Sequence, residues 1–262
     1  MNVTNSQIRA RARYLLDGNV FGRDWMMSVF VALIMTVFCG GLATVLFLIT
    51  NKLLLPVLLA AIGHISPIFL YGIPILLSFI DILALNIFIG PLSVGMSAVH
   101  LDLVRGNGHI NVKKFFDEFK NFGDNFLIGF MYMLHTTLWT CIFIIPGIYV
   151  GFSYAMVFHV KRDNPEFRWQ QCVDESERLM EGNRWRLFKL QLSFLGWSLI
   201  GAFAFFGLGT LWVQPYQQVS YALFYEQIKS EKESNVVNFD IASHAVSTPV
   251  VVDLSTPNGR NI

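Results

Sequence analysis

The chain has 262 residues, 54% of them hydrophobic and 14% charged, against roughly a quarter charged in an ordinary soluble domain. A mean hydropathy of +0.51, with 24 Phe and 6 Trp, leaves too few polar side chains to cover a globule in water. A secreted disulfide scaffold, a disordered tail protein and a nucleic-acid binder all fit poorly, and a lipid bilayer becomes the expected surrounding. The net charge of +1 is uninformative as a sum; the positions of the charges carry the information.

The N-terminal segment is polar and holds Arg9, Arg11, Arg13 and Arg23. Within it Ile8, Ala12, Leu15 and Leu16 recur at helical spacing and predict an amphipathic helix closed near Gly18. From Trp25 to Phe47 no charge occurs, which is too long for a signal-peptide core and reads as a retained first span at about 25–48. Residues 53–80 are apolar but interrupted by Pro56, Gly63, Pro67, Gly72 and Pro74. They are read as an outer insertion, about 51–78, forming two short interfacial helices, with a second span at 79–101.

Val112, Phe115, Phe116 and Phe119 predict a second amphipathic helix, followed by the chargeless stretch 125–160. That stretch is too long for one crossing and is divided at Pro146 and Gly147, giving spans at 125–145 and 147–160. The latter would rise only about 21 Å against a hydrocarbon core of roughly 30 Å. A third amphipathic helix is expected around Trp169, Cys172, Val173, Ser176 and Met180, with Asn164 as N-cap and Pro165 in its first turn. The last chargeless stretch, 190–225, is divided at Gly207, Gly209 and Pro215 into spans 189–206 and 210–226. The tail from Ser230 reads as a flexible extension, residues 230–262.

Every Lys and Arg except Lys52 falls before Trp25, between Asp102 and Asp124, between Lys161 and Lys189, or after Tyr225. If the spans pair as hairpins, these charges share one face, which the positive-inside bias assigns to the cytoplasm with both termini. The expected fold is therefore all-α and polytopic, about six transmembrane helices as three hairpins in the cell membrane. Each hairpin is preceded by a cytoplasmic interfacial helix, within a single membrane domain, 1–229. The segments Leu16-Asp17-Gly18-Asn19, Phe122-Gly123-Asp124-Asn125 and Met180-Glu181-Gly182-Asn183 place Gly at each expected helix stop. Ser153-Tyr154-Ala155-Met156 also echoes Ser220-Tyr221-Ala222-Leu223. Three quasi-repeats, about 5–104, 110–161 and 164–228, are the economical reading, with chance similarity among aromatic-rich sequences as the alternative.

The ordered motifs Ile144-Ile145-Pro146-Gly147-Ile148, Ser153-Tyr154, Leu179-Met180-Glu181-Gly182-Asn183, Leu192-Ser193-Phe194-Leu195-Gly196-Trp197, Gly207-Leu208-Gly209, Pro215-Tyr216 and Ala222-Leu223-Phe224-Tyr225 resemble the domain-of-unknown-function 975 family of bacterial integral membrane proteins. The resemblance implies a multi-pass membrane protein and brings no established activity.

Residues that could carry chemistry are few. Cys39, Cys141 and Cys172 form no CxxC or Cys/His pattern, and no GxSxG, Walker loop, GxGxxG or HExxH occurs. No catalytic set and no cofactor is expected, and the chain is read as a non-enzyme. Asp81 is the one charge near a span and is expected at the outer interface. His135 and His159 are expected at similar depth beside His100, a conceivable metal or proton site, though interfacial histidines are commoner. Trp25, Trp139, Trp197 and Trp212 are expected in interfacial belts, and Gly40, Gly41, Gly90, Gly95, Gly129, Gly196 and Gly201 at close helix contacts. The cluster Gln214, Tyr216, Gln217, Gln218 and Tyr221, with Tyr154, His135 and His159, is the candidate cavity lining beside the helix breaks Pro146, Gly147, Gly207, Gly209 and Pro215. The expected partners are the lipid bilayer, with the basic amphipathic helices at anionic headgroups of the cytoplasmic face, and a membrane-protein partner or a second copy. Two functions stand: a membrane component binding lipid or partner helices in envelope homeostasis, or a small-molecule or peptide transporter or exporter.

Overall fold

The structure is a computed structural model that describes residues 4–16, 18, 21–62, 67–203 and 209–247. Among these the chain is all-helical, with no strand. Helix α1 (Asn5–Leu15) starts where the Thr4 N–H donates to the Gln7 side chain at 2.8 Å and turns its apolar stripe, Ile8 and Ala12, inward. It stops before Gly18, whose φ of +62° is the left-handed turn that a glycine accommodates without strain. Helix α2 (Arg23–Leu48) opens with Asp24, a carboxylate at a helix N-terminus. Asp24 also accepts the Ile110 N–H at 2.9 Å and faces His109 Nδ1 at 2.8 Å, which ties α2 to the loop behind α4.

A π-helical turn, Ile49–Leu54, carries α2 directly into α3 (Leu55–Ile62). Helix α4 (Pro67–Val104) then returns as one 38-residue element containing Pro74 and Pro91. At 1.5 Å per residue, 23–62 and 67–104 reach about 60 Å and about 57 Å. The two separate interfacial helices expected at 53–78 are thus the distal end of a long hairpin. Pro67 is the first residue of α4, where a missing N–H costs nothing, and Pro56 stands just after the π-helical turn, whose wider winding accommodates it. Inside that hairpin Thr50 Oγ1 donates to Asp81 at 2.9 Å, and Asp81 lies just ahead of the apolar stretch Ala84–Val104.

The inner half of α4 is the hub: Leu92, Val94, Met96, Ala98, Val99 and Leu101 are buried where α2, α5, α6, α8 and α11 converge. Helix α5 (Val112–Asp117) is N-capped by Asn111, whose side chain accepts the Lys113 N–H at 2.9 Å. A 3-10 turn, Glu118–Asn121, leads into α6 (Phe122–Ile142). Gly123 therefore belongs to the first turn of α6 and is not a left-handed stop; the left-handed glycines of this region are Gly106 and Gly108. Helix α6 crosses α4 where Gly90 meets Gly129, with no space for a Cβ on either. Around Gly40, Gly41 and Gly196 the space is open, so those three mediate no close approach.

The α6/α7 break falls at extended Phe143 (φ −151°, ψ 129°), three residues ahead of the expected Pro146. Pro146 occupies the first turn of α7 (Ile144–Ser153), and Gly147 passes so close to Thr140 that a side chain would collide. A short turn leads to α8 (Val157–Asp163). Helix α9 (Trp169–Met180) begins at Arg168 rather than Asn164. The reason is Lys161, whose buried ammonium donates to the Pro165 and Phe167 carbonyls at 2.7 and 3.0 Å and holds the intervening residues out of the helix. Gly182, φ +79°, ends it.

Helices α10 (Arg184–Phe203) and α11 (Gly209–Ser247) complete the fold. Pro215 lies inside α11 and breaks nothing, Gly209 is its first residue, and Gly207 lies outside the described residues. Helix α11 runs on past Ser230, the expected start of a flexible extension, to Ser247. Among the described residues three helical stretches, Arg23–Leu58, Ala84–Val104 and Ile144–Asp163, are long and apolar enough to cross a membrane.

The buried core gathers at one end of the molecule, where charged side chains also lie. The opposite ends, including Phe38, Phe47, Leu53, Ile75, Trp139, Ile145 and Phe203, expose large apolar side chains, as a surface meeting hydrocarbon does.

Candidate functional site

The residues that form a cavity come from four helices. Helix α1 is fixed against α10 by the Asn5 amide, which donates to the Arg186 carbonyl at 3.1 Å, and Arg186 pairs with Glu231 of α11 at 2.7 Å. Burial pushes the Glu231 carboxyl up, but the hydrogen bonds from Arg186 and Gln227 outweigh it and hold the group below its ordinary value of 4.5. Helix α2 is joined to α11 by Trp25, whose Nε1–H donates to the Trp212 carbonyl at 3.2 Å and whose ring stacks on Tyr216 with centroids 6.3 Å apart. Trp25 is consequently buried, not a belt residue facing lipid. Tyr216 in turn receives the edge of Phe194 at 4.9 Å.

Between these elements lies a cavity of about 530 Å³ lined by Ser6, Arg9 and Arg13 from α1, Trp25 from α2, Trp197 from α10, and Trp212, Val213 and Tyr216 from α11. A second compartment of about 670 Å³ is lined by Phe21, Val29, Leu33, Ile200, Gly201, Gly209 and Leu211. Trp197, Trp212 and Val213 border both. One chamber is therefore cationic and aromatic, its neighbour apolar, with two indoles at the boundary. The apolar groove stays open because α10 and α11 touch at bare backbone: a Cβ on Gly201 would sit 2.9 Å from the Gly209 carbonyl carbon. Arg9 Nε is buried with no hydrogen-bond partner, and no carboxylate among the described residues pairs with Arg9 or Arg13.

Of the residues expected around a cavity, only Tyr216 lines these compartments. Gln217 donates to Ser198 at 2.8 Å, bracing α10 on α11. Gln214, Gln218 and Tyr221 are half-buried along α11 and line neither chamber. Tyr154 is buried beside His135, which also packs on Trp169 at 5.1 Å and bonds the Met131 carbonyl. His159 turns elsewhere, stacking on Tyr225 at 5.3 Å, and His100 bonds Ser28 and the Met96 carbonyl at 2.8 and 2.7 Å. His135 therefore stands apart, while His159 lies within electrostatic reach of His100, and no group of three metal-ligating side chains occurs among the described residues. By sequence, Arg9 and Arg13 belong with the other basic residues of the amphipathic helices at the headgroup level, not in a cavity. Their pairing with Trp197 and Trp212 spans nearly the whole chain, and no local motif signals it.

A second constellation closes the charged end. Asp163, 4% exposed at its side chain, takes ion pairs from Arg105 and Lys229, both at 2.7 Å, and the Tyr225 hydroxyl at 2.9 Å. Arg105 also holds Glu226 at 2.6 Å. This network pins α4, α8 and α11 together. Burial pushes the Cys172 thiol on α9 up to about 11, so it stays protonated and inert near neutrality.

No curated protein and no solved structure matches the chain. Residues 140–232 match the family described as Protein of unknown function (DUF975), a stretch running from the end of α6 into α11. It contains Asp163, Trp197, Trp212 and Tyr216, whereas Arg9, Arg13 and Trp25 lie outside it. Over residues 140–232, about a third of its length, this chain is similar to the DUF975 family.

Proposed function

We propose that this protein is a non-enzymatic, multi-pass component of the cell membrane that holds a membrane lipid at the junction of α1, α2, α10 and α11. The observation that carries the reading is the paired chamber: guanidinium groups and indoles open onto an apolar groove between helices, the polarity sequence of an amphiphile. A transporter of polar solutes would need a polar route through the helices. The second compartment is instead lined by apolar side chains, Leu33, Ile200 and Leu211 among them.

The membrane arrangement proposed with it has six crossings as three hairpins, α2/α4, α6/α7–α8 and α10/α11, with both termini cytoplasmic. It rests on the gathering of Lys and Arg at one end of the helices. The short helices α1, α5 and α9 each precede a hairpin and bury Ile8, Phe115 and Leu179, which supports the reading of three interfacial helices in related units. Native mass spectrometry of the detergent-purified chain checks the lipid assignment. Adducts of lipid mass are expected to persist after delipidating washes, and Ile200→Trp, which fills the groove, is expected to reduce them severalfold. Adduct-free spectra from protein purified and measured in added lipid would overturn the reading.

A further inference from the structure

We infer that the paired chamber is a selective site for an anionic phospholipid, with its phosphate between Arg9 and Arg13 and one acyl chain in the groove between α2 and α10–α11. This rests on the lipid-binding reading and adds to it the sign of the headgroup charge and the orientation of the ligand.

Arg9 carries the first argument. Arg9 is half-buried, its Nε is enclosed without an acceptor, and its side chain lines the chamber, so an acceptor oxygen in the chamber would meet guanidinium donors that no protein group engages. A phosphate supplies several oxygens in the geometry a guanidinium fork recognises. Arg13 lines the same chamber, and the nearby Glu231 is already engaged by Arg186 and Gln227. The chamber thus carries positive charge with no side-chain counter-ion among its lining residues. A headgroup bearing its own ammonium would bring a third cation beside the two arginines, whereas a phosphoglycerol headgroup leaves the phosphate charge free to pair with them.

Depth supplies the second argument. Trp197 and Trp212 stand between the cationic chamber and the apolar one, and indoles occupy the boundary between headgroups and acyl chains in a bilayer. Beyond them the groove is formed by Leu33, Ile200 and Leu211 over the bare Gly201–Gly209 contact, a surface suited to an alkyl chain and unable to satisfy a polar one. Helix α1 also presents its arginines from a fixed position, through Asn5 and the burial of Ile8 and Ala12. The helix that carries the two arginines is therefore anchored before a ligand arrives, while the exposed Arg13 side chain closes on it.

Competition between phosphatidylglycerol and phosphatidylcholine of identical acyl chains, read by native mass spectrometry of the full-length chain, tests this. With about fivefold per interfacial basic residue, the wild type is expected to retain the anionic lipid at least fivefold over the zwitterionic one. The double variant Arg9→Gln/Arg13→Gln is expected to lose that preference while still retaining both lipids, and Arg9→Lys/Arg13→Lys to recover part of it. Ile200→Trp is expected to weaken both lipids alike. Equal retention of the two lipids by the wild type overturns the inference and leaves the lipid-binding reading standing, as does a preference that survives in the Gln variant. Retention of neither lipid overturns both. Glycerol 3-phosphate is the soluble control: binding as tight as phosphatidylglycerol would show a free-phosphate site and overturn the assignment of the groove to an acyl chain.

Discussion

Asp163 and Glu231 do the same work by different routes. Asp163 is nearly enclosed and gathers Arg105, Lys229 and Tyr225 from two other helices, while Glu231 sits at the edge and secures Arg186. The folded state holds the Glu231 carboxyl below its unfolded value of 4.5. Its contribution is therefore complete at neutral pH and disappears as pH falls through that region. Glu231→Gln is expected to lower the melting temperature in detergent at pH 7, with the difference from the wild type shrinking as pH falls below 4.5 through the lowered folded-state value. Asp163→Asn leaves two cations around a weaker acceptor and is expected to cost about 1–3 kcal/mol, read as a lower midpoint in the same melts.

At the scale of helices, the crossing of α4 and α6 depends on the absence of side chains at Gly90 and Gly129. Gly129→Val is expected to cost about 1–3 kcal/mol by forcing the helices apart. Gly196→Ala, with open space around it, is expected to leave the melting temperature unchanged or slightly higher. Both glycines look alike in the sequence; only the path of the neighbouring helix separates them. The same distinction explains what was legible beforehand. Helix identities and the approximate bounds of α2, α6 and α10 follow from chargeless runs and flanking charges, because those signals are local. The break near Pro146 was also visible, displaced to Phe143 because proline is tolerated in a first turn. Pro215 misled, since α11 carries a proline without ending. Tyr216 was the one candidate that reached the cavity. Arg9 and Arg13 could be seen as basic residues but not as lining, since that role depends on α1 folding back across α10 and α11.

At the scale of the molecule, the core and charged residues occupy one end and exposed apolar surface the other. If that polarity marks the bilayer normal, Lys120 and Arg178 share a side. Lys120→Cys and Arg178→Cys, each in a chain whose own cysteines are replaced, are expected to react with an impermeant maleimide only from the cytoplasmic face. Labelling from opposite faces would dismantle the six-crossing arrangement. The first hairpin adds a mechanical demand. Its helices are about twice as long as the roughly 30 Å hydrocarbon slab, and Leu53, Leu54, Val57, Ile75, Leu76 and Ile80 around and past the Thr50–Asp81 bond still expose apolar surface. In the arrangement proposed above, Asp24 and Asp102 keep the inner end of this rod outside the slab, so the length in excess of the hydrocarbon projects past the far face, and its apolar tip presents a surface for lipid or a neighbouring protein to cover.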